Sequence, residues 1–417
     1  MAPTQLAPTI IKESDHVILR MPSNNSKAVC IKANTTISLG KFGSFKANEL
    51  IGKTFGHTYE IEKGGSIRPH KQSGFDDADI TEANNKEIND NPKSQKLSFE
   101  DIEILKQKSM TGDVTAQEII ATLTENNESF AMKTEFSKSK YIKRKQKKFM
   151  KSFVPLETNV YNVCDFFFQS NPMKIRGIRT DTLSQVLSLV NVYSSARIMA
   201  VDDGQGMIVA SLLSRISEGG SVFGIHDGDV HSYDILRYMN FSNESRDRLQ
   251  TLSWSKLNHT MEPFTEELRE GFTEQDVLGR ERRMRGHAKL SETLENLNRG
   301  EFDALVISSN YKAKSVVEKL VPYLGGSRML VIYDQSKEAL VETFAWLRDS
   351  PDFLNVQLTE SWLREYQVLP SRTHPLMNTS GGGGYILSAI HLAPAAVPTP
   401  APVSAPAPAA TDAANSN

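Results

Sequence analysis

The sequence has few of the residues and motifs that would place it in a specialised class. Only two of its 417 residues are cysteines, Cys30 and Cys164, and their wide separation is not that of a metal site. We expect two buried thiols in a reducing compartment. The nine histidines show no H-E-x-x-H spacing, and no G-x-S-x-G nucleophile elbow is present. The sequence therefore predicts no metal site and no hydrolase of that kind.

A net charge and long apolar runs are missing as well. The chain has 48 basic and 50 acidic residues, so only local clusters can point to a charged partner. No apolar stretch reaches the roughly 18 residues needed to span a bilayer, and residues 1–10 lack the pattern of a signal peptide. We expect a soluble, intracellular protein that does not contact a membrane. A hydrophobic content of 39% is that of an ordinary globular chain.

The hydrophobic pattern divides the chain into six segments. From the amino terminus these are a disordered stretch (1–14), short strands typical of a small antiparallel β-barrel (15–62), a polar insertion (63–92), a helical connector (93–154), an α/β domain (155–392) and a disordered Ala/Pro-rich tail (393–417). Six apolar runs of the α/β domain predict strands, with helical patterns between them; the runs are 197–201, 221–225, 304–307, 329–333, 356–358 and 385–390. This alternation predicts a doubly wound, mostly parallel, Rossmann-like sheet of the methyltransferase type.

A glycine loop follows the first strand of the α/β domain. Asp202 ends this apolar strand, and Gly204 and Gly206 follow at alternate positions. Nucleotide-binding loops of this layout use a third small residue so that the backbone can approach the ligand. Here Met207 and Ile208 place two large side chains where a methionine moiety or a pyrophosphate would lie. The loop thus predicts a methyltransferase-like domain with a degenerate cofactor site.

The densest charge cluster lies in the helical connector. Residues 138–151 include eight basic residues and no acidic one. A solvated helix face and a nuclear-import signal are two interpretations. We favour phosphate binding, because so many uncompensated like charges repel unless a polyanion relieves them.

Other polar residues add to or qualify this surface. Lys93, Gln95 and Lys96 precede the first helix of the connector, and Lys174, Arg176 and Arg179 lie near residue 175. The basic run at residues 280–289 has glutamates nearby and favours an amphipathic or intersubunit helix. After the central strand, Ser308 stands where base-modifying transferases commonly place a base-holding carboxylate, so catalysis is not predicted.

Four blocks carry a resemblance to a known family. They are KSQKL at 93–97 with Asp-Ile-Glu at 101–103, KYIKRKQKK at 140–148, RTDTLSQ at 179–185, and REYQVLPSRTHP at 364–375. With them, the chain resembles the non-catalytic, tRNA-binding subunits of eukaryotic tRNA (adenine-N1)-methyltransferases. The resemblance covers nearly the whole chain except the polar insertion and the tail.

The resemblance implies a function shared between two subunits. The chain would bind no cofactor, and S-adenosylmethionine would bind a catalytic paralogue that methylates the adenosine at position 58 of the tRNA T-loop. Two such pairs would form a heterotetramer in the nucleus. The residues that we expect to contact tRNA are Lys93, Gln95, Lys96, Lys138, Lys140, Tyr141, Lys143, Arg144, Lys145, Lys147, Lys148, Arg176, Arg179, Arg364, Tyr366, Gln367, Arg372, Thr373 and His374.

Two other functions remain open from the sequence. One is an active S-adenosylmethionine-dependent RNA methyltransferase in which Asp202 or Asp227 holds the cofactor ribose. It would need space at Met207 and Ile208 and a base-holding group near Ser308. The other is a scaffold for the complex that makes no RNA contact of its own. Cofactor binding separates the first from our interpretation, and substitution of the basic helix separates the second.

Overall fold

The structure is a computed structural model, and it describes most of the chain. The described residues are 9–70, 95–111, 114–130, 133, 135–259, 261–265, 274–368, 373–377 and 381–392. The predicted insertion from residue 71 to 92, the predicted tail and two predicted tRNA contacts, Lys93 and Arg372, lie outside them.

The N-terminal part is a β-rich unit built from seven short strands. They are β1 (His16–Arg20), β2 (Ser26–Cys30), β3 (Thr36–Ser38), β4 (Ser44–Lys46), β5 (Tyr59–Ile61), β6 (Ile67–Pro69) and β7 (Ser152–Glu157). Five of them form an antiparallel sheet in the order β2-β1-β7-β5-β6, and β3 pairs with β4. Alternate residues such as Val17 and Leu19 point into a common core, where the rings of Phe45 and Phe153 stack 4.6 Å apart. The β3–β4 hairpin belongs to the same core.

The described N-terminal strands do not form the continuous ladder of a closed barrel, and single hydrogen bonds join the β3–β4 hairpin to the five-stranded sheet. Strands β2 and β6 lie at the two ends of the sheet, and the β3–β4 hairpin is joined to both sides. The Lys46 amide donates to the carbonyl of Gly65 at 3.1 Å, and Lys27 Nζ donates to the carbonyl of Ser38 at 2.8 Å.

Three predicted segment boundaries were wrong, two of them because of contacts between distant segments, whereas β6 pairs with its neighbour β5. Ile11, predicted to be disordered, is buried, and its amide donates to the carbonyl of Lys53 at 2.9 Å. Strand β6 lies inside the predicted polar insertion. Strand β7 crosses the predicted start of the α/β domain and completes the N-terminal sheet 80 residues after β6. A strand whose partners lie this far away in sequence has no local signal of its sheet.

Three helices lie between β6 and β7 in the chain and carry the basic cluster. They are α1 (Phe99–Thr111), α2 (Ala116–Glu125) and α3 (Glu135–Phe149). A capping box begins α2, since Glu118 and Thr115 each accept the other's backbone N–H. Ile119 and Leu123 of α2 pack against Phe149 in a small separate core. This core fixes the end of α3 to α2.

The C-terminal part is a three-layered α/β domain. Its helices are α4 (Val160–Ser170), α5 (Thr180–Val190), α6 (Met207–Leu213), α7 (Asn243–Asp247), α8 (Glu274–Asn298), α9 (Ala313–Leu320) and α10 (Glu338–Asp349). Its strands are β8 (Arg197–Asp202), β9 (Ser221–His226), β10 (Leu249–Ser253), β11 (Phe302–Ser308), β12 (Leu324–Asp334), β13 (Phe353–Trp362), β14 (Tyr366–Gln367), β15 (His374–Pro375) and β16 (Gly382–His391). Two large hydrophobic cores lie on the two faces of the main sheet.

The main sheet confirms the predicted fold class. Its order is β10-β9-β8-β11-β12-β16-β13, parallel from β10 to β12 and antiparallel at β16 and β13. All six strands predicted for this domain are present, whereas β10 was not predicted. The strand order reverses between β8 and β11, and ligands of this architecture bind at the carboxyl ends of the strands there. None of the helices in the described segments is long and apolar enough to cross a membrane.

Candidate functional site

The glycine loop satisfies its own hydrogen-bond donors. The Asp202 carboxylate at the end of β8 accepts the backbone N–H groups of Gly204 at 2.8 Å, Ile208 at 2.7 Å and Val209 at 3.1 Å. In nucleotide-binding loops, the free N–H groups at such a helix start bind an anionic ligand. Here two of the N–H groups at the start of α6 already donate to a carboxylate of the chain itself.

A tyrosine ring lies directly on the second glycine of the loop. Gly206 has a φ of +78°, and a Cβ added to it would lie 2.7 Å from Cβ of Tyr233. The hydroxyl of Tyr233 would lie 2.7 Å from a Cβ added to Gly224 in β9, and its ring stacks on His231 at 4.7 Å. Because the second glycine is where the backbone approaches a ligand, the buried ring of Tyr233 fills that space. S-adenosylmethionine does not fit these residues.

Met207 and Ile208, which the sequence predicts to exclude a cofactor from the glycine loop, have a structural role instead. Both residues are buried in the core that α6 shares with α4 and α5. They therefore stabilise the position of α6 beneath the loop. Tyr233 was not predicted, because it lies 27 residues after Gly206 in a segment with no recognisable motif.

A polar network spans the crevice between β8, β11 and β12. The Asn310 amide donates to the Asp203 carboxylate at 2.7 Å, and the Arg176 guanidinium donates to Asn310 Oδ1 and, at 2.7 Å, to Asp334. Buried Ser308 accepts from the Asp203 amide through its carbonyl at 2.9 Å. The crevice where a substrate base would enter is thus bridged by the protein's own side chains. Among the described residues, no group of three or more His, Cys, Asp or Glu could hold a metal ion.

Two predicted tRNA contacts, Arg176 and Arg179, form ion pairs within the protein, Arg176 half-buried and Arg179 buried. Only 7% of the Arg179 side chain is exposed, and its guanidinium donates to both carboxylate oxygens of Asp181 at 2.6 and 2.8 Å. It also donates to the backbone carbonyls of Ser361 and Gly382, so it fixes the start of α5 to β13 and β16. Arg176 is held by the network described above. No local pattern in the sequence revealed these ion pairs, and RNA contact by either arginine stays a prediction.

The buried carboxyl of Asp202 predicts a pH-dependent stability. Burial raises its pKa to about 6, although the three donated N–H groups act in the opposite direction. Since this lies above the pKa of about 3.9 in an unfolded chain, the folded protein keeps a proton that the unfolded chain has released. That contribution is fully present below pH about 4, decreases as the pH rises from about 4 to about 6, and is absent above that range.

We expect the wild-type protein to lose about 1 kcal/mol of unfolding free energy relative to Asp202→Asn between pH 5 and pH 7.5. The variant cannot titrate at this position, so the difference between the two proteins isolates the carboxyl. Chemical denaturation of both at several pH values measures it. If the difference in unfolding free energy between the two proteins does not change with pH, the Asp202 carboxyl has the same pKa in the folded and the unfolded chain.

The basic helix α3 exposes its cations on one side. Lys140, Lys143, Arg144 and Lys147 follow the i, i+3, i+4, i+7 spacing of one helix face, and all four are exposed. Lys148 is also exposed, whereas Lys138 is half-buried. Phe149 turns inward and anchors the helix. The exposed face is therefore a positive surface about two turns long.

Tyr141 and Lys145, also predicted to contact tRNA, lie at the packed side of α3. The Tyr141 ring is 5.5 Å from the ring of Phe130, and its hydroxyl approaches the carbonyl of Leu123 at 3.5 Å. Lys145 Nζ lies 5.0 Å from the centre of the Tyr141 ring, and burial lowers the pKa of this lysine. Tyr141 attaches α3 to α2, and Lys145 packs on Tyr141, so neither residue adds much to the positive surface.

Gln95 and Lys96 lie beside the same helices. Gln95 is half-buried and forms an isolated antiparallel bridge with Asn127. Lys96 Nζ pairs with Glu128 at 3.2 Å, and both side chains are largely exposed. An exposed pair of this kind contributes little to stability, so Lys96 can exchange its partner for a phosphate.

The segment after β13 is a small exposed hairpin. Tyr366 of β14 pairs with Pro375 of β15, and the Leu376 amide donates to the carbonyl of Glu365 at 2.8 Å. Six large apolar side chains of this region are exposed, namely Trp362, Leu363, Tyr366, Val368, Leu376 and Met377, at 69%, 45%, 54%, 74%, 36% and 83%. The predicted contacts Arg364, Thr373 and His374 are exposed on it, and Gln367 is half-buried. So many exposed apolar side chains in one segment are typical of a protein–protein interface.

Comparison with known proteins identifies a family. The model of the Gcd10p family matches residues 10–281 of the chain. The chain is 29% identical to the tRNA (adenine(58)-N(1))-methyltransferase non-catalytic subunit of Debaryomyces hansenii, a match that covers 93% of this chain and 87% of that protein. It is 30% identical to the subunit of the same name from Schizosaccharomyces pombe, with 91% of each chain covered.

A solved structure shows the same fold. The S-adenosylmethionine-dependent O-methyltransferase of Thermotoga maritima superposes with a TM-score of 0.51 and covers 92% of this chain and 95% of its own. The two sequences are 13% identical, so this likeness concerns the fold alone. The α/β domain therefore has a methyltransferase fold in which the glycine loop is closed.

Proposed function

The chain belongs to the Gcd10p family, and from this premise we infer that it is the non-catalytic subunit of a tRNA (adenine(58)-N(1))-methyltransferase. The observation that carries this inference is the closed glycine loop. Asp202 occupies the N–H donors that a cofactor would need, and Tyr233 fills the space beside Gly206. A chain with this loop needs a catalytic partner that binds S-adenosylmethionine.

We propose that the chain contributes RNA binding through helix α3. Structured RNA is recognised mainly by its shape and its phosphates, and a base inside a fold must be splayed out before an enzyme can reach it. The exposed face of Lys140, Lys143, Arg144 and Lys147 offers several phosphate contacts on a helix that is anchored by Phe149. This subunit would hold the tRNA while the partner methylates adenosine 58.

We propose that the hairpin of β14 and β15 binds the catalytic paralogue. Its apolar side chains, together with Trp362 at the end of the edge strand β13, would be buried by a protein and not by RNA. This assigns Tyr366 to the partner, whereas Arg364, Gln367, Thr373 and His374 stay predicted tRNA contacts at the rim. We further propose a heterotetramer of two heterodimers in the nucleus, and the exposed basic run of α3 suits nuclear import.

Cofactor binding tests this function against an active methyltransferase. We expect equilibrium dialysis with labelled S-adenosylmethionine to show no binding to the isolated chain, and micromolar binding to the complex with the catalytic paralogue. The paralogue by itself is the control, because it shows how much of the cofactor binding belongs to the partner. Micromolar binding by the isolated chain would favour the active enzyme and contradict our inference.

Assembly and substrate are tested with the same proteins. Native mass measurement after co-expression should give the mass of two chains of each kind, and the complex should methylate tRNA at adenosine 58. If the catalytic paralogue methylates tRNA equally well in the absence of this chain, the proposed role is contradicted.

A further inference from the structure

The buried residues of helix α8 lie in its last turns, whereas its first half contacts the described part of the protein through surface residues such as His287. It has 25 residues and is therefore about 37 Å long, at 1.5 Å per residue. Thr293, Leu294 and Leu297 are buried near its end. Between residues 275 and 289, every described side chain is exposed or half-buried. The first half of α8 is thus a helix without a hydrophobic core beneath it, which is uncommon for a stable helix.

The exposed half of α8 is strongly basic. Residues 280–289 contain five Arg or Lys residues and one carboxylate, that of Glu281. Arg282, Arg285 and Lys289 are exposed and lie at i, i+3 and i+7, which places them on one face. Arg285 pairs with Glu281 at 3.2 Å, but 75% of its side chain is exposed, so the pair contributes little.

The basic half of α8 lies toward the crevice edge of the sheet. Asn296 and Gly300, at the end of α8, accept hydrogen bonds at 2.9 Å from Arg197, which begins β8. The helix therefore ends at the amino edge of the parallel strands, and its earlier turns lie toward their carboxyl edge. His287 Nε2 lies 2.8 Å from the carbonyl of Glu262, in the segment that follows β10. Burial lowers the pKa of His231, which follows β9, and the charges of His226 and Lys289 act in the same direction.

Charge decides which kind of partner this face fits. A face with three cations at successive turns repels itself in the absence of a counter-charge, and a polyanion relieves that repulsion. The hairpin of β14 and β15 is apolar, whereas the Arg282, Arg285 and Lys289 face is not. The carboxyl edge is also where a substrate of this fold approaches.

We propose that Arg282, Arg285 and Lys289 form a second phosphate-binding surface, which contacts the backbone of the same tRNA that α3 binds. This inference rests on the proposed function. It implies that the tRNA spans the methyltransferase-like domain as well as the helical connector. The phosphate contacts of α8 would then add to those of α3 in the salt dependence of binding.

The triple variant Arg282→Gln, Arg285→Gln, Lys289→Gln in the reconstituted complex tests the inference. We expect tRNA affinity to fall about 10-fold and the slope of log affinity against log salt to decrease by up to about 3, since each lost phosphate contact removes about one unit. A matched control removes three exposed cations from the helical layer of α9 and α10, as Lys319→Gln, Lys337→Gln and Arg348→Gln. The control should leave both quantities unchanged.

The outcomes separate this inference from the proposed function. If the triple variant keeps wild-type affinity and salt slope while α3 variants lose affinity, α8 is not an RNA surface and the proposed function stands. If native mass measurement shows that the triple variant no longer binds the catalytic paralogue, α8 is a protein interface and the inference is overturned. If the wild-type complex does not bind tRNA at all, the proposed function itself fails.

Discussion

Replacing Lys140, Lys143, Arg144 and Lys147 by glutamine is expected to weaken tRNA binding by the reconstituted complex about 100-fold. The four side chains form one exposed helix face, and each phosphate that they neutralise releases condensed counterions. The slope of log affinity against log salt should decrease by up to about 4, because each substitution removes one such contact. Filter binding or fluorescence anisotropy between 50 and 300 mM salt measures both quantities.

The expected loss comes from binding and not from unfolding. The four cations lie on the side of α3 opposite to Phe149, whose ring packs on Ile119 and Leu123. Circular dichroism and complex assembly should therefore match the wild type. A four-charge control on α9 and α10, namely Lys312, Lys319, Lys337 and Arg348 to glutamine, has the same net charge. If the α3 variant and this control bind tRNA equally well, the chain is a scaffold without RNA contact.

Much of the fold could be predicted from the sequence because its signals are local. The strands of the α/β domain are short apolar runs that alternate with helical patterns, and six of them were placed correctly. The end of α3 was also predictable, since Phe149 is the aromatic residue at the inner side of an otherwise basic helix. Alternation and helical periodicity are set by the backbone geometry of each element and need no knowledge of its distant neighbours.

The features that were not predicted depend on contacts between distant segments. Strand β7 joins a sheet whose other strands end at residue 69, and Ile11 is buried by the segment around Lys53. From the sequence alone, a basic residue can equally be a surface contact or an internal ion pair. For Arg179 the burial beside Asp181, Ser361 and Gly382 decides for the ion pair, and those partners span 200 residues.

Contacts between distant segments also limited the prediction of the candidate site. The sequence revealed that the glycine loop is abnormal, because Met207 and Ile208 are too large for a third glycine position. It did not reveal which side chain takes the space beside Gly206. Tyr233 reaches that position through the turn after β9, and its hydroxyl also covers Gly224. A closed cofactor site is thus a property of two neighbouring loops and not of one motif.

Replacing Trp362 and Tyr366 by serine is expected to abolish stable assembly with the catalytic paralogue. Their side chains are 69% and 54% exposed, so they contribute little to the fold of the chain itself. Buried aromatic anchors at the centre of an interface commonly contribute about 2 kcal/mol or more each, and two of them correspond to about a 1,000-fold loss in affinity. Native mass measurement should show separate subunits, and methylation of tRNA should fall in proportion.

A matched control distinguishes the interface from a general loss of apolar surface. Val230 and Val341 are also exposed, and they lie outside the hairpin of β14 and β15. Serine at both positions should leave the complex intact. Raising the concentration of both subunits should restore methylation by the Trp362/Tyr366 variant, because the substitutions weaken association without altering the partner's catalytic site. If the variant with serine at both Trp362 and Tyr366 still forms an intact complex, the partner binds another face of the chain.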